Sequence, residues 1–185
     1  GKLKGGVFTL PGDVSSQYIT GLLLAAPLME EGCEIVLTSP LQSAPYVEMT
    51  LSAMAQFGVT VEKTSHGFRV APGQHYQSPG PVTAEGDWSG AAFFLCAGAL
   101  GGPVTVSGLA PRSSQGDKAV ADILRDMGAH LSWDGDALTV SRGALRAVTV
   151  DSAPIPDLIP VLALTAAFCE GESRFTNAGR LRLKE

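Results

Sequence analysis

The chain has 185 residues, a formal net charge of -5, 45% hydrophobic residues and 17% charged ones. That composition excludes a disordered chain and describes one large packed domain or two small ones. The acidic balance argues against a general nucleic-acid binder, which needs a basic face, but a few local groups can still hold a small anion. No signal peptide opens the sequence and no apolar run reaches membrane-spanning length, so a cytoplasmic protein without a membrane partner is expected. Cys33, Cys96 and Cys169 are odd in number and unevenly spaced. They read as reduced thiols, with Cys96 and Cys169 buried in apolar helical runs, and no Cys/His spacing resembles a zinc site.

Val7 to Leu10 read as a strand, broken by Pro11-Gly12-Asp13. A helix is expected over 15–29. Asp13, Ser15 and Ser16 all suit its N-cap, because their oxygens accept from first-turn N–H groups that lack a partner. A helix start bearing two serine hydroxyls can also hold a phosphate. Capping alone and anion binding both stand as readings of Ser15 and Ser16. A strand over 34–37 follows. A second helix over 45–57 places Val47, Leu51, Met54 and Phe57 on one face, and Gly58 stops it. Segments 59–62 and 68–71 read as a hairpin around His66-Gly67. Residues 71–81, rich in Pro and Gly, read as a linker in which His75 is a solvated loop residue. His66 and His130 are read the same way.

A strand over 82–85 and Gly86-Asp87 then begin a second body. Helices are expected over 91–100 and 158–168, both apolar on every side like 19–28, so the surrounding elements should wrap them. Asp87 and Ser89 read as caps. Ser113-Ser114-Gln115 reads as a turn and cap for a helix from about 116, whose Val120, Ile123, Leu124 and Met127 form an apolar face. Gly128 ends that helix, and Asp134-Gly135 marks a hairpin turn. Asp157, at the head of the last apolar helix, reads from the residues alone either as a cap or dipole partner or as a functional carboxylate. Arg180, Arg182 and Lys184 alternate with leucines, which reads as an extended strand with one charged face.

These elements repeat with a period of about 70 residues, each complete copy reading β-α-β-α-β-β and the third copy breaking off early. The first residues, Gly1-Lys2-Leu3-Lys4-Gly5-Gly6, and the last, Arg182-Leu183-Lys184-Glu185, lack the marks of natural termini. The expectation is a piece of a longer chain.

In order and spacing, six motifs resemble the 5-enolpyruvylshikimate-3-phosphate synthase family. They are GDVSSQ, Ser43-Ala44-Pro45-Tyr46, EGDWSGAAFFL, SSQGD, Pro156-Asp157 and Arg182-Leu183-Lys184-Glu185. The resemblance runs the full chain. It implies an α/β (α+β) enolpyruvyl transferase fold, here incomplete, of repeated β-α-β-α-β-β units around buried parallel helices. Residues 1–83 would be the last unit of one domain, and 84–185 one complete unit plus the start of another in the second domain. The implied reaction moves the enolpyruvyl group of phosphoenolpyruvate to the 5-hydroxyl of shikimate 3-phosphate, in chorismate and aromatic amino acid biosynthesis, with no metal or organic cofactor.

On the same resemblance, Ser15 and Ser16 match the serines that hold shikimate 3-phosphate, and Gln17 the glutamine between the two substrates. Ser43 and Tyr46 match further shikimate-phosphate contacts, although Ala44 and Pro45 stand where the family often has a cation. Asp157 matches the aspartate that binds the shikimate hydroxyls and accepts a proton. Lys184 matches a lysine on the shikimate side, and Glu185 a glutamate of proton transfer at the phosphoenolpyruvate carbon. Arg180 stands where some members carry a ring-contacting asparagine, so that contact is not carried over, and Arg182 is read as structural.

Two other functions compete. One is the UDP-N-acetylglucosamine enolpyruvyl transferase, which shares fold and donor but lacks the Ser-Ser-Gln helix start. The other is a non-catalytic repeat domain in which Ser15, Ser16 and Asp157 only cap helices. The isolated piece is expected to be inactive, and its uncovered apolar helices favour self-association.

Overall fold

The computed structural model describes residues 3–183. The chain divides into two compact units, Gly1–Thr83 and Ala84–Glu185.

The first unit runs β1 (Gly6–Leu10), α1 (Ser16–Ala25), β2 (Cys33–Leu37), α2 (Ala44–Gln56), β3 (Glu62–Thr64) and β4 (Gly67–Val70). The sheet order is β1-β2-β4-β3. β1 and β2 are parallel, with Leu10 opposite Leu37, while β4 is antiparallel to both β2 and β3. The helix expected over 15–29 is regular only to Ala25. It tightens into a 3₁₀ turn at Ala26–Leu28, where Pro27 offers no N–H. In α2, Val47, Thr50 and Met54 are buried and Leu51 is half-buried, so the apolar period did select the inner face. Ile19 and Leu23 of α1 pack with Ile35, Val47, Met54 and Phe68 in one core. The hairpin turn falls on Ser65-His66, one residue earlier than expected, and 59–61 stay outside the strands. Gly67 is required there, since a Cβ would lie 1.9 Å from the Ile35 carbonyl oxygen.

Residues 71–81 are not a free linker. Gln74 exchanges two hydrogen bonds with the Thr60 backbone, at 2.7 and 2.9 Å. The Tyr76 hydroxyl donates to the Leu24 carbonyl at 2.9 Å, and Gln77 N–H donates to Phe57 O at 2.8 Å. Their polar side chains dock the segment on the first unit without any periodicity that a sequence would show.

The second unit contains α3 (Trp88–Leu100), β5 (Val104–Val106), α4 (Ala119–Met127), β6 (His130–Asp134), β7 (Ala137–Ser141), β8 (Thr149–Asp151), α5 (Ile159–Ala166) and β9 (Arg174–Thr176). The three strands β5-β7-β6 form an antiparallel sheet, and β8 and β9 form a parallel pair. The β8-α5-β9 segment thus repeats the arrangement of β1-α1-β2. The strand expected over 82–85 is absent. There Gly86 N–H donates to Gly108 O at 2.7 Å.

Trp88, Leu95, Leu124, Leu138, Leu158 and Leu162 share a single core. α4 is amphipathic as its period requires, with a 3₁₀ turn at Gly116–Lys118 ahead of it and Gly128 in the left-handed conformation at its end. The β6–β7 turn is Gly135-Asp136, again one residue off the expected position. Residues 178–183 are a 3₁₀ stretch and not the strand that alternation suggested; Leu181 packs against the core instead. The all-apolar helices are not wrapped on every side. Tyr18 and Leu24 of α1, Phe93 and Phe94 of α3, and Leu164 of α5 are exposed. Cys33 and Cys96 are buried free thiols, whereas Cys169 lies beyond α5 and is only half-buried. Burial pushes all three thiols up, most simply for Cys33 and Cys169 and partly offset at Cys96 by the Thr165 hydroxyl. Among the described residues, no helix is long and apolar enough to cross a membrane.

Candidate functional site

The parallel register of β1 and β2 decides where the site residues gather. Each strand is followed by a helix, so α1 and α2 both begin at the carboxyl end of the pair. Helix starts at the carboxyl edge of parallel strands are where open α/β sheets bind ligands. Neither helix has an acidic residue in its first turn, so its positive end is not neutralised from within.

Ser15 is the N-cap of α1, and its Oγ accepts from Gln17 N–H at 3.2 Å. Ser16 is the first helical residue and is only 9% exposed, while Gln17 is exposed. Ser15 is therefore committed in part to capping, while Ser16 sits at the edge of the body. Asp13 does not cap α1. Its Oδ1 accepts from the Ser39 hydroxyl at 2.6 Å, and Ser39 Oγ in turn accepts from Gly12 N–H at 3.0 Å. Gln42 N–H donates to Gly12 O at 2.9 Å. The turn before α1 is thereby fastened to the turn before α2. The two backbones are so close that a Cβ on Gly12 would stand 2.6 Å from Ser39 O.

Ser43 precedes α2 and is buried, with φ 54° and ψ 38°. A non-glycine residue in this left-handed region is strained by about 1–2 kcal/mol, and such strain gathers at ligand clamps. Ser43 O accepts from Tyr46 N–H at 3.1 Å, and Tyr46 is half-buried in the first turn of α2. The structure thus brings Ser15, Ser16, Gln17, Ser43 and Tyr46 to one end of the first unit. Beside them runs a groove of about 460 Å³ lined by Thr38, Ser39, Leu41, Glu48, Lys63 and His66. The β3–β4 turn reaches this edge because Leu37 N–H donates to His66 O at 2.7 Å. Lys63 lies 2.7 Å from Glu48, so the groove brings a balanced ion pair and no bare cation.

In the second unit Asp157 occupies the 3₁₀ turn Pro156–Leu158 that leads into α5, and it is exposed. The N-cap position there is Ile155, which has no side-chain bond to offer, and Asp157 is the acidic residue of the first turn. The preceding turn is held by Asp151, whose Oδ1 accepts from Asn177 Nδ2 at 2.9 Å and from Ala153 N–H at 3.1 Å. These bonds, with Asn177 first, hold the Asp151 carboxyl below its ordinary range. Asp87 caps α3 through Ser89 N–H and Gly90 N–H, as its position suggested. Ser89 does not cap; its hydroxyl donates to Asp117 at 2.5 Å. Gln115 is a lock that the sequence did not reveal: it accepts from Trp88 N–H and donates to Gly86 O, both at 2.9 Å. Lys184 and Glu185 lie outside the described residues.

The fold is that of the enolpyruvyl transferases. The whole chain superposes on an EPSP synthase structure from Acinetobacter baumannii with a TM-score of 0.76 at 24% identity, over 43% of that chain. It also superposes on the enolpyruvyl transferase NikO from Streptomyces tendae, with a TM-score of 0.64 at 21% identity, over 93% of this chain and 43% of that one. The sequence model of EPSP synthase (3-phosphoshikimate 1-carboxyvinyltransferase) matches residues 1–185, and the chain belongs to that family. Among similar proteins, the 3-phosphoshikimate 1-carboxyvinyltransferase of Methanocorpusculum labreanum is 46% identical over the whole chain, and that of Pasteurella multocida 44% identical over 99% of it. The chain spans 44% and 42% of those two relatives' lengths.

Proposed function

We propose that the full-length protein transfers the enolpyruvyl group of phosphoenolpyruvate to the 5-hydroxyl of shikimate 3-phosphate and releases inorganic phosphate. The observation that supports it best is the convergence of two helix starts, with their serines, at one sheet edge. The phosphate of shikimate 3-phosphate is assigned to the α1 start with the Ser15 and Ser16 hydroxyls, and to Ser43 at the α2 start. Tyr46 and Lys184 add contacts on the shikimate side, and Gln17 separates the two substrates.

In this reading Asp157 accepts the proton of the 5-hydroxyl as its oxygen attacks C2 of phosphoenolpyruvate, and Glu185 delivers a proton to C3. The tetrahedral intermediate then loses phosphate, which carries away the proton taken up by Asp157, as the C3 proton returns to Glu185 and restores the enol ether. The steps consume and return one proton at C3, so no redox partner or cofactor enters. An exposed aspartate in the first turn before an apolar helix suits the first step, since a ligand can reach it.

The net charge of -5 and the three free thiols fit a protein of a reducing cytoplasm with no nucleic-acid or membrane partner. The isolated 185-residue chain is predicted to be inactive, because it spans under half of its relatives. The exposed Phe93, Phe94 and Leu164 favour its self-association. Phosphate release by the full-length protein, measured with phosphoenolpyruvate and shikimate 3-phosphate, tests the proposal. Release with a UDP-sugar acceptor in place of shikimate 3-phosphate would overturn it.

A further inference from the structure

We infer that Ser39 and Asp13 are positioning residues for shikimate 3-phosphate, acting on the Ser15-Ser16-Gln17 helix start without touching the ligand; the inference rests on the functional reading above. Ser39 spends its hydroxyl twice, donating to Asp13 Oδ1 at 2.6 Å and accepting from Gly12 N–H at 3.0 Å. Together with the Gln42 N–H bond to Gly12 O at 2.9 Å, this fixes the α1 start against the segment that leads to Ser43. A phosphate held by hydroxyls from both helix starts needs their spacing set to a few tenths of an ångström. This backbone-to-backbone seam is the link nearest both starts, and Gly12 and Ser39 approach too closely for any intervening side chain.

The bond also governs charge. Asp13 lies three residues ahead of α1, near enough that a loose carboxylate could reach the helix start and oppose a bound anion. Ser39 takes up that carboxylate, and the capping role falls to the neutral Ser15. An independent copy of the device stands before α5. There Asp151 accepts from Asn177, which follows β9 as Ser39 follows β2, and from Ala153 in the turn leading to Asp157. A carboxylate bonded across the turn thus recurs ahead of α5, whose start carries the proposed Asp157.

The test is steady-state kinetics on the full-length enzyme, with each substrate varied in turn. Ser39→Ala and Asp13→Ala should each raise KM for shikimate 3-phosphate about tenfold, the scale of one lost hydrogen bond to a charged group. They should leave kcat and the phosphoenolpyruvate KM within about twofold. Ser39→Thr and Asp13→Asn keep the hydroxyl and the acceptor oxygen, and should stay within about twofold of the parent. The double variant should be no worse than Ser39→Ala, because one interaction is removed only once. If Ser39→Ala does not fold, Asp13→Ala reads the same bond from its exposed side. Equal losses for both substrates, additive losses in the double variant, or an unchanged shikimate 3-phosphate KM would each overturn the inference while leaving the functional reading standing. A parent enzyme that does not turn over shikimate 3-phosphate removes both.

Discussion

Leu10 lies opposite Leu37 in the parallel register of β1 and β2. That single pairing brings the α1 and α2 starts to the same end of the sheet. A slip of one residue would turn the core-facing side chains of one strand outward and displace Ser15 and Ser16 from Ser43.

Ser15 and Ser16 should separate in their effects. Ser15→Ala removes the N-cap bond to Gln17 and should cost about 1 kcal/mol in denaturant unfolding. Ser16 makes no cap, so Ser16→Ala should unfold near the parent midpoint yet raise the shikimate 3-phosphate KM about tenfold. Equal destabilisation by both changes would show that the pair only caps.

Asp157→Asn should lower kcat of the full-length enzyme by about 10²–10⁴-fold, the range of a lost general base. Asp157 is exposed, so the thermal transition should move far less than kcat. A variant with parental kcat would return Asp157 to a helix-dipole role.

Gly128 ends α4 at φ 101°, and a Cβ there would stand 2.4 Å from the Ala144 carbonyl oxygen. Gly128→Ala therefore combines left-handed strain with a backbone clash. It should destabilise by more than about 2 kcal/mol by urea titration. Gly102→Ala meets nothing within 4 Å and serves as the control.

Asp151 should titrate below its ordinary value of 3.8, because the Asn177 and Ala153 bonds favour its charged form. A lowered folded value means that the carboxylate supports folding above pH 3.8 and that this support is lost as pH falls through the folded value. Asn177→Ala should move the NMR-monitored midpoint of Asp151 upward toward 3.8, with Ala153 N–H keeping part of the shift. An unmoved midpoint would deny the Asn177 bond in solution.

Much of this architecture was readable from local signals. The faces of α2 and α4, the stops at Gly58 and Gly128, and the Ser15 cap depend on contacts within about four residues, which periodicity and cap chemistry report directly. The repeat exposed β8-α5-β9 as a copy of β1-α1-β2. Local alternation misled at 178–183, where burial of Leu181 outweighed the strand pattern. The segment 82–85 has strand-like letters but no strand beside it.

By itself, then, the amino-acid order determined most of the helices, which of their faces turn inward, and which hydroxyls and carboxylates stand near their starts. Tertiary structure alone decided that Asp13 answers to Ser39, that Gln115 locks Trp88, and that 74–77 dock on the first unit. Partners some 14 to 52 residues apart leave no periodic trace in a sequence. They meet only because strand register and core burial, which are properties of the whole packed unit, bring their backbones together.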